Sequence, residues 1–129
     1  ARGVKEMVEE AVYHREEDEQ GASAVHLAAL MGNADKIKKL MEAGEDIEEA
    51  DDDGLTPLHY ACGEGHLDCM SVLLDGGAKP DHGDSEGDMP IHIACQEGNT
   101  EVVFEMLQRF PYLLHLSGAG KNTLLHMVA

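Results

Sequence analysis

Residues 51–78 read DDDGLTPLHYACGEGHLDCMSVLLDGGA, and this stretch decides the fold. Thr56 is placed to cap a helix through its hydroxyl. Pro57 follows at the first helical position, where a missing N–H costs nothing. His59 stands three residues past the cap, where its imidazole can exchange hydrogen bonds with the threonine and the neighbouring turn. The spacing predicts a short first helix over 57–63, with Ala61 and Cys62 small enough to let a neighbour approach. Gly63-Glu64-Gly65-His66 reads as a turn. A second helix is predicted over 67–75, where Leu67, Met70, Leu73 and Leu74 recur at helical spacing and face inward. Gly76-Gly77 then ends it with a left-handed cap.

The same grammar recurs on both sides. His26, His59 and His92 are 33 residues apart, and His126 follows after 34. They close the tetrads Ser23-Ala24-Val25-His26, Thr56-Pro57-Leu58-His59, Met89-Pro90-Ile91-His92 and Thr123-Leu124-Leu125-His126. Ala28, Ala61 and Ala94 keep the interval, with Val128 in the fourth copy. Gly21, Gly54 and Gly87 keep it too, as do Gly32, Gly65 and Gly98, and Asp18, Asp51 and Asp84. Copy one repeats the inner face of the second helix with Ile37, Leu40, Met41 and Gly44, and copy three with Val103, Met106 and Leu107. No copy can bury its apolar face alone, so the copies must stack into a solenoid.

With its period and its Thr-Pro-Leu-His-x-Ala signature, the chain resembles the ankyrin repeat family. The resemblance covers about residues 16–129, is closest over Asp51–Ala78, and is specific for the fold rather than for a function. It implies an all-α ankyrin-repeat solenoid of stacked helix-turn-helix units, with β-hairpin-like fingers between repeats. The expected layout is one domain over 1–129: an N-terminal helix or partial repeat (1–17), repeat 1 (18–50), repeat 2 (51–83), repeat 3 (84–117) and a truncated repeat 4 (118–129). Residues 2–14 carry Val4, Met7, Val8, Ala11 and Val12 on one helical face. They read either as the second helix of an incomplete leading repeat or as a capping helix. Copy three loses the helix-ending glycine: Phe110 stands there, and Pro111 is left to stop the helix. The apolar run Tyr112–Leu116 is expected to pack over the join to the last copy. Without an initiator Met and with a half-built last copy, the chain reads as a piece of a longer protein.

Composition narrows the function. Among 129 residues, 26 Asp and Glu stand against nine Lys and Arg, for a net charge of −17. That argues against nucleic acid and anionic membrane surfaces, since both present phosphate and call for clustered cations. With no Trp, two Phe and three Tyr, stacking platforms for single-stranded nucleic acid are lacking as well. No apolar run approaches a membrane span, so direct membrane insertion is not expected. Three cysteines make no disulfide framework and no signal peptide opens the chain, so an intracellular place, cytoplasm or nucleus, is expected.

Chemistry finds no foothold. Four of the eight histidines belong to the repeat signature, and His66 fills a turn position common in the family. His14, His82 and His115 have no ligand spacing. Cys62 and Cys95 occupy the small buried position of Ala29 in copy one, Cys69 lies near an inner helix face, and no CxxC occurs. The acidic run Asp81–Asp88 sets a histidine where a calcium ligand should stand. Neither metal nor cofactor is expected, and no catalytic constellation appears. The expectation is a non-enzymatic protein.

The remaining signal is where the acids fall. EDIEEADDD, residues 45–53, carries seven acids in nine. By phase Asp18, Asp51 and Asp84 form one column, Glu48 and Asp81 another, and Gln20, Asp53 and Glu86 nearly a third. Such a stripe is either a solvated, solubilising edge or a surface for a basic ligand. Like charges on units about 8–10 Å apart repel by roughly 0.4 kcal/mol per pair in water, and a cationic partner would relieve that. Ankyrin proteins bind with finger tips and the exposed start and end of the first helix. The resemblance therefore implies contacts at Glu19, Gln20, Leu30 and Met31, at Asp52, Asp53, Leu55 and Glu64, and at Glu86, Asp88, Gln96 and Glu97. Leu30 and Met31 either face the groove or pack under the first finger. The expected function is a protein-interaction module for a basic, partly apolar peptide or protein surface. The alternative is the cytosolic ankyrin portion of a channel or other membrane protein, serving assembly or tethering.

Overall fold

A computed structural model describes residues 21–116. The leading helix expected over 2–14 and the truncated copy over 118–129 lie outside the described residues. Those residues form six α-helices in three pairs: α1 (Ala24–Met31) with α2 (Ala34–Glu42), α3 (Pro57–Glu64) with α4 (Leu67–Asp75), and α5 (Pro90–Gln96) with α6 (Thr100–Arg109). A 3-10 turn, Pro111–His115, follows α6. First helices stack on first helices, α1 against α3 and α3 against α5, while α2 lies against α4. The helix read over 57–63 runs one residue further, and the one read over 67–75 matches α4.

Each first helix starts in the same way. Ser23 and Thr56 cap α1 and α3, accepting the backbone N–H of His26 and His59. In return Nδ1 of each ring accepts the cap residue's own N–H, at 3.0 Å in both. Met89 has no hydroxyl to offer, yet its N–H still donates to His92 Nδ1 at 3.0 Å. With Nδ1 accepting, the ring proton sits on Nε2, and that N–H points into the next repeat from His26 and His59, and to the segment after α6 from His92. It donates to the Leu55 carbonyl from His26 (2.7 Å), to the Asp88 carbonyl from His59 (2.8 Å) and to the Leu116 carbonyl from His92 (3.2 Å). The signature histidine is thus both a helix cap and a tie between repeats.

A second set of ties grips the other end of the first helices. Gly32 and Gly65 cap α1 and α3 in the left-handed conformation. Beside them the next repeat's His66 and Asn99 reach back. His66 Nε2 lies 3.1 Å from the Leu30 carbonyl, and Asn99 Nδ2 donates to the carbonyls of Cys62 (2.9 Å) and Gly63 (2.8 Å). These bonds satisfy helix-end carbonyls that a short helix otherwise leaves to water.

The core is one continuous aliphatic layer. Ile37, Leu58, Met70, Leu73, Ile91, Met106 and Leu113 are fully buried, each contributing about 1.5–3 kcal/mol of apolar burial. Leu67 and Leu74 are only partly buried against it. Cys62 and Cys69 are buried, whereas Cys95 is partly open. The last lies beside a cavity of about 270 Å³ lined by Val103, Phe104 and Leu107. By the 33-residue phase these positions correspond to Cys62, Met70, Ser71 and Leu74, so the cavity is the stacking face of the third repeat.

Phe110 avoids the left-handed conformation that Gly44 and Gly77 adopt, taking φ −136°, and Pro111 follows as the stop. In the run after it Leu113 is buried while Tyr112 and His115 are exposed. The segments between helix pairs close as tight turns: Gly54 N–H donates to the Asp51 carbonyl and Asp51 N–H to the Leu55 carbonyl, both at 2.9 Å. Adjacent turns touch through Ser85 N–H, which donates to the Asp53 carbonyl at 3.0 Å. Gly54 sits at that contact with φ +80°, and a Cβ there would lie 2.5 Å from Ser85 N. Gly77 has φ +101° with open space around it. Gly54→Ala is therefore expected to cost clearly more stability than Gly77→Ala, which carries only the left-handed penalty of about 1–2 kcal/mol. Urea melts of the two variants check this, and equal losses would contradict the finger-to-finger contact.

Candidate partner-binding groove and acidic fingers

Two of the phased acid columns prove to be engaged in hydrogen bonds within the fold. Asp51 is 8% exposed. Its Oδ1 accepts the N–H groups of Asp53 (3.0 Å) and Leu55 (2.9 Å), and its Oδ2 accepts the Tyr60 hydroxyl at 2.5 Å. Asp84 repeats this, accepting the N–H groups of Glu86 and Asp88 at 2.9 Å each. These carboxylates shape the fingers from within, because short acidic side chains mimic a backbone turn. The second column links fingers forward. Glu48 accepts the Lys79 N–H at 2.8 Å and faces His82 Nδ1 at 3.2 Å, while Asp81 accepts the Tyr112 hydroxyl at 3.2 Å. The column read as a stripe for ligands is thus, at Asp51 and Asp84, a set of turn-closing groups.

What remains for a partner is a smaller set. Asp52, Asp53 and Glu86 are exposed at the finger tips, and their carboxylates make no hydrogen bond or ion pair among the described residues. Asp88 departs from its expected place: it is 4% exposed, its N–H bonds Asp84 and its carbonyl takes the His59 proton. It closes the base of the finger. Glu19 and Gln20 lie outside the described residues.

The first helices supply the other wall. Leu27, Leu30 and Met31 stand at i, i+3 and i+4, so they share one face of α1. By phase the matching positions are Tyr60, Gly63 and Glu64 on α3, and Ile93 and Gln96 on α5 with Glu97 as its cap. Tyr60 bonds Asp51, and Gln96 Nε2 donates to Asp88 Oδ2 at 3.4 Å, which sets this face toward the fingers. On it Leu30 is 41% and Met31 78% exposed. Glu64, Gln96 and Glu97 are exposed and Leu55 is half-buried. Leu27, Tyr60 and Ile93, all half-buried, were missed from the sequence. Each follows a signature histidine by one residue, and the same phase that revealed the repeat marks them as an apolar row along the groove floor.

Burial favours the neutral form of one histidine and three cysteines in the stack. Burial pushes the His59 pKa below the usual imidazole range, against the smaller opposing pulls of the Asp88 carbonyl and the Asp84 charge. Burial raises the thiols of Cys62, Cys69 and Cys95, so they keep their protons and act as small hydrophobes. Among the described residues no three His, Cys, Asp or Glu side chains gather as a metal site would require.

The two kinds of acid should separate by mutation. Asp51→Ala strands two turn N–H groups and the Tyr60 hydroxyl, and is expected to cost about 2 kcal/mol. Asp52→Ala is expected to stay within about 0.5 kcal/mol of the parent. Denaturation midpoints decide it, and equal effects would contradict the division.

A sequence model of ankyrin repeats in three copies matches residues 25–112, more than half of the chain. No curated protein matches it. The helix pairs, the capping imidazoles and the turn glycines described above fall inside the matched span, and the chain belongs to the ankyrin repeat family.

Proposed function

We propose that this domain is a non-enzymatic module that binds a basic, partly apolar peptide or protein surface along its finger tips and the finger-facing side of its first helices. Ankyrin repeats are generally protein–protein interaction modules, and the chemistry of the partner is read from this chain's own surface. The observation that carries the reading is that the exposed finger carboxylates Asp52, Asp53 and Glu86, unbonded among the described residues, share one side of the stack with the exposed Leu30 and Met31. A lysine-rich segment would be steered in by the net charge of −17 and would relieve repulsion between neighbouring fingers. Its apolar side chains would cover Leu30 and Met31. No helix among the described residues is long and apolar enough to cross a membrane. The free thiols of Cys62 and Cys69 suit the reducing interior of a cell, cytoplasm or nucleus.

Reversing the three finger charges together, Asp52, Asp53 and Glu86 to Lys, is expected to weaken binding of a lysine-rich peptide at least about tenfold at low salt. It should also flatten the salt dependence. Fluorescence anisotropy titrations at two ionic strengths measure both, and an unchanged low-salt affinity would overturn the reading.

A further inference from the structure

Resting on that reading of the groove, we infer that the groove takes its ligand in one direction only, with an apolar anchor over the first repeat and cations over the second and third. The rows along the stack are not uniform. One row runs Met31, Glu64, Glu97, and the row beside it runs Leu30, Gly63, Gln96. Both large apolar side chains lie on α1, and they are 41% and 78% exposed. The carboxylates stand at the ends of α3 and α5, Glu64 as the last residue of α3 and Glu97 as the cap after α5, both exposed at the same position of the repeat. Finger-tip carboxylates stand beside the two acidic helix ends, Asp52 and Asp53 entering repeat 2 and Glu86 entering repeat 3.

Such a surface discriminates against the inverted ligand twice. Turned around, the ligand sets its cations over Leu30 and Met31, where no carboxylate meets them on the helix. Its apolar anchor then covers Glu64 and Glu97, taking carboxylates out of water without a hydrogen bond in return. The correct direction buries the Leu and Met side chains and pairs the cations. The occupant is therefore a bipartite segment, one end apolar and the other rich in lysine or arginine. Glu64 and Glu97 contribute the charge complementarity and Leu30 and Met31 the anchor site.

The probe is a synthetic peptide with two leucines at one end and an alternating Lys-Ser run at the other, carrying a nitroxide at either end. Methyl and side-chain amide NMR of the protein reads the direction. A nitroxide at the leucine end should broaden the Met31 methyl strongly and the Gln96 amide weakly, and a nitroxide at the lysine end should do the reverse. In parallel, the double variant Leu30→Ser with Met31→Ser should bind the peptide about tenfold more weakly, with an unchanged salt slope. It should also lose the parent's preference for this peptide over a plain Lys-Ser peptide. Both side chains are exposed, so the fold is not at stake. Equal or reversed broadening, or an unaltered preference in the variant, overturns the direction while leaving the groove as a binding site. No binding of either peptide by the parent protein overturns the direction and the groove reading together.

Discussion

A neutral imidazole shared between two repeats is the interaction on which the rest of this structure depends. In each repeat Nδ1 closes the start of the first helix, and in the first two Nε2 donates across the junction. The carbonyl it reaches is not a spectator. The Leu55 carbonyl also accepts Asp51 N–H, and the Asp88 carbonyl accepts Asp84 N–H. The ring therefore holds the base of the next finger as well as its own helix. A buried hydrogen bond is worth only about 1 kcal/mol net, but losing one partner strands the other at a cost of about 1–3 kcal/mol. Because each ring bonds at both nitrogens, the helix, the junction and the finger stand or fall together. His66 and Asn99 repeat the logic at the far end of the first helices, so each junction is tied at two points.

The charge of the chain takes its meaning from that scaffold. Part of the −17 is consumed in holding fingers in shape: Asp51 and Asp84 bind turn N–H groups, and Glu48 and Asp81 reach forward to the next repeat. Their positions are fixed by those bonds rather than by a partner. The acids left over, at the finger tips and at the ends of α3 and α5, sit in fixed phase because the imidazoles hold the repeats in register. Repulsion among them is spread along an exposed edge, where water and salt screen it.

Most of the fold was legible in the sequence. A 33-residue phase is carried by residues with few alternative uses: glycines at positive φ, a cap hydroxyl, a proline at the first helical position, and a histidine three residues after the cap. The helix bounds around Pro57 and Leu67 follow from them almost to the residue. The division of the acids was not legible. Whether an aspartate closes a turn or faces water depends on backbone N–H groups whose direction only the folded finger fixes, so Asp51 and Asp52 look alike in the sequence. Asp88 departs from its expected place for the same reason, since its N–H is held by Asp84 and its carbonyl accepts from the His59 ring of the preceding repeat. Leu27, Tyr60 and Ile93 were within reach, because their phase is visible. Cys95 differs from Cys62 only through its place at the end of the described stack, which no local pattern encodes.

The most direct test of the imidazole tie is a ring-nitrogen NMR titration of His59 between about pH 8 and pH 5. Its folded pKa lies below the free value of 6.5 because burial disfavours the charged ring. The unfolded chain therefore takes up the proton first. The ring's contribution to stability is whole above the unfolded pKa and is lost as the pH falls from there through the folded value. The account predicts a bare Nδ1, a proton on Nε2 in hydrogen-bond contact with the Asp88 carbonyl, and no protonation as the pH passes the free imidazole value. A proton on Nδ1 at neutral pH, or a ring that titrates at or above the free value in the folded protein, would contradict it.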